Sequence, residues 1–255
     1  GTHVAGSVLG SGAAYGDGLY AGVAPEARLV MQAIGGPGTS VIPPSPLNLL
    51  FEQAWSNSAR IHTDSWGSSV DGAYTANARS LDEFMWDFDD MLVLFSAGNS
   101  GRDTSPTHGV IDGGSIGSPG TAKNCLTVGA AESARPSGSG GYSAMPWGIG
   151  SWLPKYSADP IRGDLISTAW DGVYPGMAAF SSRGPCDDGR TKPDIVAPGT
   201  DIVSCRSRVA GASTLWGTGS GVLGNTASNW YTFSGGTSMS TPLTAGAAGL
   251  ARQYL

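Results

Sequence analysis

The sequence predicts an α/β fold of three layers, with helices on both faces of a mainly parallel central sheet. Three observations predict it. Short apolar runs alternate with longer segments that are apolar at helical spacing, the pattern of βαβ units. The run Met91-Leu92-Val93-Leu94-Phe95 is apolar throughout, as a strand covered on both faces must be. Turns bearing glycine follow two of the runs, at Trp66-Gly67 and at Ala97-Gly98. Open α/β sheets place their ligands beyond the carboxyl ends of the strands, where these turns fall.

In order, Gly1 to Leu9 reads as a short apolar helix entered without a cap, and a turn-rich stretch follows to Ala24. Arg28 to Ile34 reads as a strand, and a Gly/Pro-rich loop from Gly35 to Pro46 leads into a helix over Leu47 to Trp55. Ile61 to Ser65 is a short strand running into Trp66-Gly67. Ala73 to Phe88 is a helix with Leu81, Phe84, Met85 and Phe88 on one face. The strand at 91–95 ends in Ser96-Ala97-Gly98-Asn99, and Cys125 to Ala130 is another strand. Asp194 to Ser204 reads as a hairpin about Pro198-Gly199. Between Ala131 and Ala179 the pattern dissolves into Gly, Ser, Pro and scattered Trp, which reads as a long surface insertion. Arg206 to Trp230 is a second irregular stretch, and Leu243 to Leu255 an Ala/Gly/Leu-rich buried helix.

At 255 residues the chain is long enough for one large domain with a sizeable core. A net charge of −6 gives no basic footprint, which excludes nucleic acid and anionic membranes as expected partners. No apolar run approaches the roughly 20 residues that span a bilayer. Three cysteines are too few for a disulfide scaffold. Cys125 reads as a buried thiol, whereas the hairpin either brings Cys186 and Cys205 together or leaves both free. No Cys-x-x-Cys or His/Cys cluster supports zinc. Gly217-Thr218-Gly219-Ser220-Gly221 lacks the Lys-Ser/Thr and the helix of a phosphate loop.

The stretch Phe233-Ser234-Gly235-Gly236-Thr237-Ser238-Met239-Ser240-Thr241-Pro242 directly precedes the last helix. Its glycines allow backbone and ligand to approach closely. The first N–H groups of a helix lack intrahelical partners and can face an anion forming beside Ser238. Pro242 suits a first helical turn, where its missing N–H costs nothing. The same features serve an ordinary Ser/Thr cap, so this stretch alone leaves nucleophile and cap both open.

Taken together, the motifs resemble the subtilisin-like serine peptidases, or subtilases. Gly1-Thr2-His3-Val4-Ala5-Gly6, Ser65-Trp66-Gly67, Ala97-Gly98-Asn99, Ser118-Pro119-Gly120, Phe180 to Pro185, Lys192 to Gly199 and Gly236 to Pro242 occur in the family's order. The alkaline subtilases with an additional C-terminal β-rich domain are the most similar. The resemblance implies a serine endopeptidase in which Ser238 is the nucleophile. Its oxyanion would be held by the Asn99 carboxamide and the Ser238 backbone N–H. Ser65, Trp66 and Gly67 would form the edge along which a peptide adds as a strand. Ala97 and Gly98 on one wall, Gly117 near the floor and Ser118 beside it would shape a pocket for a bulky uncharged side chain. Substrates are polypeptides, no cofactor is required, and structural calcium is an expectation without a site. The resemblance also implies an extracellular monomer.

One departure matters. The family's general base immediately precedes the position of Gly1, and its orienting aspartate lies further upstream. The sequence is therefore expected to be a partial catalytic domain lacking the fold's first strand, at most weakly active alone. A non-catalytic peptide-binding relative is the alternative. His3, two residues beyond the base, lies about 200° around a helix from it and reads as structural. His62 and His108 read as packed or surface residues. Asp64, though followed by Ser65, continues into the substrate edge and does not substitute for the missing acid.

Overall fold

The computed structural model describes residues 1–14, 18–37, 40–104, 108–135, 141–142, 144–149, 155–168, 176–209 and 229–255. Its first half contains α1 (Thr2–Leu9), α2 (Asn48–Ser56), β1 (Ile61–Asp64), α3 (Ala76–Asp87) and β2 (Leu92–Ser96). The second half contains β3 (Leu126–Ala131), β4 (Ser133–Ala134), β5 (Ser167–Thr168), β6 (Ile195–Pro198), β7 (Ile202–Cys205), β8 (Tyr231–Ser234) and α4 (Thr237–Tyr254).

The central sheet has the order β1-β2-β3-β6, every pair parallel, with Asp64 opposite Phe95, Ser96 opposite Val128 and Ala130 opposite Ala197. Period-2 alternation divides the side chains of β2 between two cores. Val93 and Phe95 join Leu50 and Phe51 of α2 and Leu81 and Phe84 of α3. Leu94, with Val128 of β3, packs on the other face against Ala245 of α4 and Val8 of α1. These are the three layers. Thr75 caps α3, its hydroxyl accepting the Ala78 N–H at 3.4 Å, so that helix starts three residues later than its periodicity suggests. α4 begins at Thr237, six residues before its apolar run, so Ser238 lies inside the first helical turn.

Three expectations are corrected. Arg28 to Ile34 is not a strand. A strand needs a neighbour for its backbone groups, and β1 is the outermost strand on that side of the sheet. The segment is instead tied to α2, the Gln32 amide donating to Leu50 O at 2.8 Å. Asp194 to Ser204 is not a hairpin. β6 pairs in parallel with β3, whereas β7 pairs antiparallel with β8, and Pro198-Gly199 carries the chain from one sheet to another. Cys186 and Cys205 are consequently not brought together, and all three cysteines are free thiols. Burial pushes the Cys125 thiol up to about 11.

The third correction concerns 131–179, whose described residues are not only surface. Trp147, Tyr156 and Ile166 are buried with Ile111, Ala130, Ala178 and Ala179 in a core of their own. Apart from Ala130 of β3, this core is assembled from single residues outside helices and strands, so no periodicity announces it. The Gly217–Gly221 run lies outside the described residues.

Glu132, buried in the same region, accepts the Trp147 indole N–H at 2.7 Å. Burial pushes its carboxyl up to about 7, Asp164 adding to the rise and the indole and Arg183 opposing it. Such a carboxyl holds its proton more tightly folded than unfolded. Its contribution to stability is therefore intact below its ordinary value of 4.5 and lost as the pH climbs towards 7. Glu132→Gln, which keeps an acceptor for the indole, is expected to flatten that fall. Urea midpoints at several pH values between these limits measure it.

Candidate active site

The carboxyl ends of β1 and β2 and the amino end of α4 meet at one rim of the sheet, and side-chain bonds lock them there. Asn99, three residues beyond β2, accepts two hydrogen bonds at its Oδ1. These come from the Thr237 backbone N–H at 2.9 Å and the Thr237 hydroxyl at 3.0 Å. A backbone N–H can only donate, so the atom it meets is the amide oxygen, and Nδ2 must face the other way. The Thr237 hydroxyl also accepts the Gly98 N–H at 3.3 Å. Thr237 thus holds both halves of the turn that carries Asn99.

Gly236, with φ +138°, lies at the centre. A Cβ there would fall 3.3 Å from Asn99 Nδ2, 3.6 Å from Asn99 Oδ1 and 3.7 Å from the Ser238 backbone N. The Asn99 carboxamide and the Ser238 N–H therefore both border the space at Gly236. As the second residue of α4, Ser238 has no intrahelical acceptor for its N–H. Two hydrogen-bond donors bordering one space, next in sequence to a half-buried hydroxyl, suit stabilisation of an oxygen anion.

The Ser238 hydroxyl donates to Ser65 O at 3.2 Å, and the Ser65 hydroxyl donates back to Ser238 O at 2.9 Å. Pro242 explains the second bond. It lies in the second turn of α4, not the first. Its missing N–H would have bonded the carbonyl four residues back, which is that of Ser238, and its ring crowds the same oxygen. Ser65 supplies the absent donor.

The neighbouring segments are stitched together by their backbones. Ser68 and Ser118 exchange N–H···O bonds of 2.9 and 3.0 Å, and Gly117 N–H donates to Ala97 O at 2.9 Å. A side chain on Gly67 would sit 2.8 Å from Ser118 O, so only glycine lets these two strips approach. Ala97, Gly117 and Ser118 are buried, and Ser118 is bonded through its hydroxyl to Thr75. The Trp66 indole turns inward, edge-on to Phe95 with centroids 5.3 Å apart, and donates to Asp64 Oδ1 at 2.8 Å. Its backbone, not its ring, lies on the edge.

Residues 1–255 match the subtilase family of S8 peptidases along their whole length. The chain belongs to the subtilase family. It is 31% identical to the serine protease/ABC transporter B family protein tagD of Dictyostelium discoideum, all of this chain aligning with 16% of that protein. It is 28% identical to the serine protease AprX of Bacillus subtilis, with 99% of this chain and 48% of that protein covered. Among solved structures, the S41 psychrophilic protease superposes with a TM-score of 0.55 at 24% identity, over 96% of this chain and 60% of that one. The chain thus spans between about a sixth and three fifths of these relatives' lengths.

None of this subtilase's three histidines bonds to Ser238. His3 Nε2 meets the carbonyls of Ile202 and Thr232, each at 3.1 Å, and burial lowers its pKa. His62 is bonded to Asp64 and Gln32, and His108 is exposed. Among the described residues no group of three or more His, Cys, Asp or Glu side chains could hold a metal, and no helix is long and apolar enough to cross a membrane. Two parts of the site escaped sequence reasoning. The Thr237 anchor is signalled only by a hydroxyl beside Ser238, and the Ser65 donor only by Pro242, four residues after Ser238.

Proposed function

We propose that the protein containing this chain is a serine endopeptidase with Ser238 as nucleophile. The observation that supports this reading is that two donors, Asn99 Nδ2 and the Ser238 N–H, border one space at Gly236, two residues before the Ser238 hydroxyl. Ser238 Oγ attacks the scissile carbonyl carbon while a base takes its proton. The carbonyl oxygen becomes an anion between the two donors, and the base then returns the proton to the departing amine. Water hydrolyses the resulting ester in the same manner. With all three histidines of residues 1–255 placed away from Ser238, the base and its orienting acid are assigned to polypeptide outside them. The resemblance puts the base immediately before Gly1. Residues 1–255 then form part of a catalytic domain, weakly active alone.

The substrate is an extended polypeptide laid along Ser65 to Gly67, with a bulky uncharged side chain before the cut entering beside Ala97, Gly98, Gly117 and Ser118. An extracellular monomer that needs no cofactor completes the reading. In the full-length protein, a serine-reactive phosphonate is expected to label Ser238, and cleavage maps of an unfolded protein are expected to favour large apolar residues before the cut. Peptide binding without labelling or cleavage would instead make it a peptide-binding relative. A profile dominated by Arg or Lys would overturn the pocket assignment.

A further inference from the structure

A second polar cluster lies directly beneath the Ser65–Gly67 edge. His62 and Asp64 point to the same side of β1, as residues two apart on a strand must. The Asp64 side chain is buried and that of His62 is 11% exposed, with His62 Nδ1 at 2.7 Å from Asp64 Oδ2. On the other side of the ring, Nε2 lies 2.7 Å from Gln32 Oε1. The orientation of Gln32 is not free, because its Nε2 donates to Leu50 O at 2.8 Å and to Gln53 Oε1 at 2.9 Å. A main-chain carbonyl accepts only, so the atom facing His62 is the amide oxygen, itself an acceptor. Asp64 is likewise committed, since its Oδ1 accepts the Trp66 indole N–H, a group that can only donate.

Both ring nitrogens of His62 therefore face acceptors, and both must carry hydrogen. We infer that His62 is held as an imidazolium and acts as a positioning residue for the substrate edge, through Asp64 and the Trp66 indole. The chain Gln53–Gln32–His62–Asp64–Trp66 runs from α2 to the middle residue of that edge. The inference rests on the reading of Ser65 to Gly67 as a peptide-binding strip. Asp64 is the charged group facing the ring from β1. α2 presents the Phe51 ring, edge-on with centroids 5.1 Å apart, and the Gln53 amide, neither of which titrates. Burial opposes the charge, but the Asp64 carboxylate and its hydrogen bond outweigh it and raise the pKa of His62 above the ordinary 6.5. The stability this charge contributes is therefore fully present below 6.5 and lost as the pH rises through the raised value. Neutral His62 leaves one of its two acceptors without a donor and removes the positive charge beside Asp64, so the carboxylate that orients the indole is held more weakly.

Two measurements on the full-length protein test this without requiring hydrolysis. With histidine labelled by ¹⁵N, and His62 assigned by loss of its signals in His62→Gln, both ring nitrogens are expected to show protonated shifts at pH 7. A neutral ring there would overturn the inference even if the enzyme cleaves peptides. In a Ser238→Ala background, His62→Gln is expected to weaken binding of an extended peptide about tenfold. It should also abolish the loss of affinity on the alkaline side. Trp66→Phe removes the N–H and shrinks the indole that packs on Phe95 to a phenyl ring, so it is expected to weaken the peptide at least as much while His62 stays protonated, and it serves if His62→Gln does not fold. Unchanged affinity in Trp66→Phe would sink the coupling. Peptide binding with these signatures but no cleavage would leave the inference standing and defeat the peptidase reading.

Discussion

Ser238→Ala is expected to lower kcat/KM of the full-length protein by about 10⁶-fold, the scale on which a nucleophile and its base fail as a unit. The expectation follows from what the hydroxyl does not do for the fold. Its one hydrogen bond among the described residues runs to Ser65 O, and the side chain is half-buried. Asn99 stays bonded to Thr237, and Ser65 can still donate to the carbonyl of residue 238. Thermal stability should therefore change little, within about 0.5 kcal/mol, as for substitutions away from core packing and buried networks. Peptide affinity should also persist. Both donors remain, so a residual rate above the uncatalysed reaction is expected from them and from binding alone. Loss of activity together with loss of folding would instead mark Ser238 as a structural cap.

Much of this arrangement is legible in the sequence, for physical reasons that differ by element. β2 is an unbroken apolar run because helices cover both its faces, and that composition needs no tertiary knowledge to read. The turn after it and the glycines before Ser238 are equally local, since each reflects a backbone conformation at its own position. Pairing is not local. β7 finds its partner in β8, with residues 206–230 between them in the sequence, and nothing in Ile202 to Cys205 distinguishes that partner from the nearer β6. Trp147 was similarly opaque. A tryptophan buried by turns leaves no period, and only its bond to Glu132 reveals a packed core. His62 is the clearest case. Its neighbours in space come from a loop, from α2 and from β1, and its charge follows from which atoms of Gln32 and Asp64 face it. A histidine read alone on a strand carries none of that.

Asn99→Asp separates the two tasks of the carboxamide. The aspartate keeps an oxygen where Asn99 Oδ1 accepts from the Thr237 N–H and hydroxyl, so the turn stays anchored. It replaces the donor Nδ2 by an acceptor carrying negative charge, directly where the oxyanion forms. Removing one such donor costs about 10²–10³ in kcat, and added repulsion should push the loss to the upper end of that range or beyond. KM should stay close to the parent value, because the neutral ground-state carbonyl gains far less from the donor than the anion does. Thr237→Val gives the control. It removes the hydroxyl that fixes Asn99 but leaves the backbone N–H in place, so about a tenfold loss is expected. If Thr237 acts through Asn99, its hydroxyl should matter much less once Asn99 is alanine, and the double-mutant cycle should show strong coupling. Additive losses would mean that Thr237 serves the Gly98 N–H instead. A rise in KM with unchanged kcat in Asn99→Asp would place the carboxamide in substrate binding, away from the developing charge.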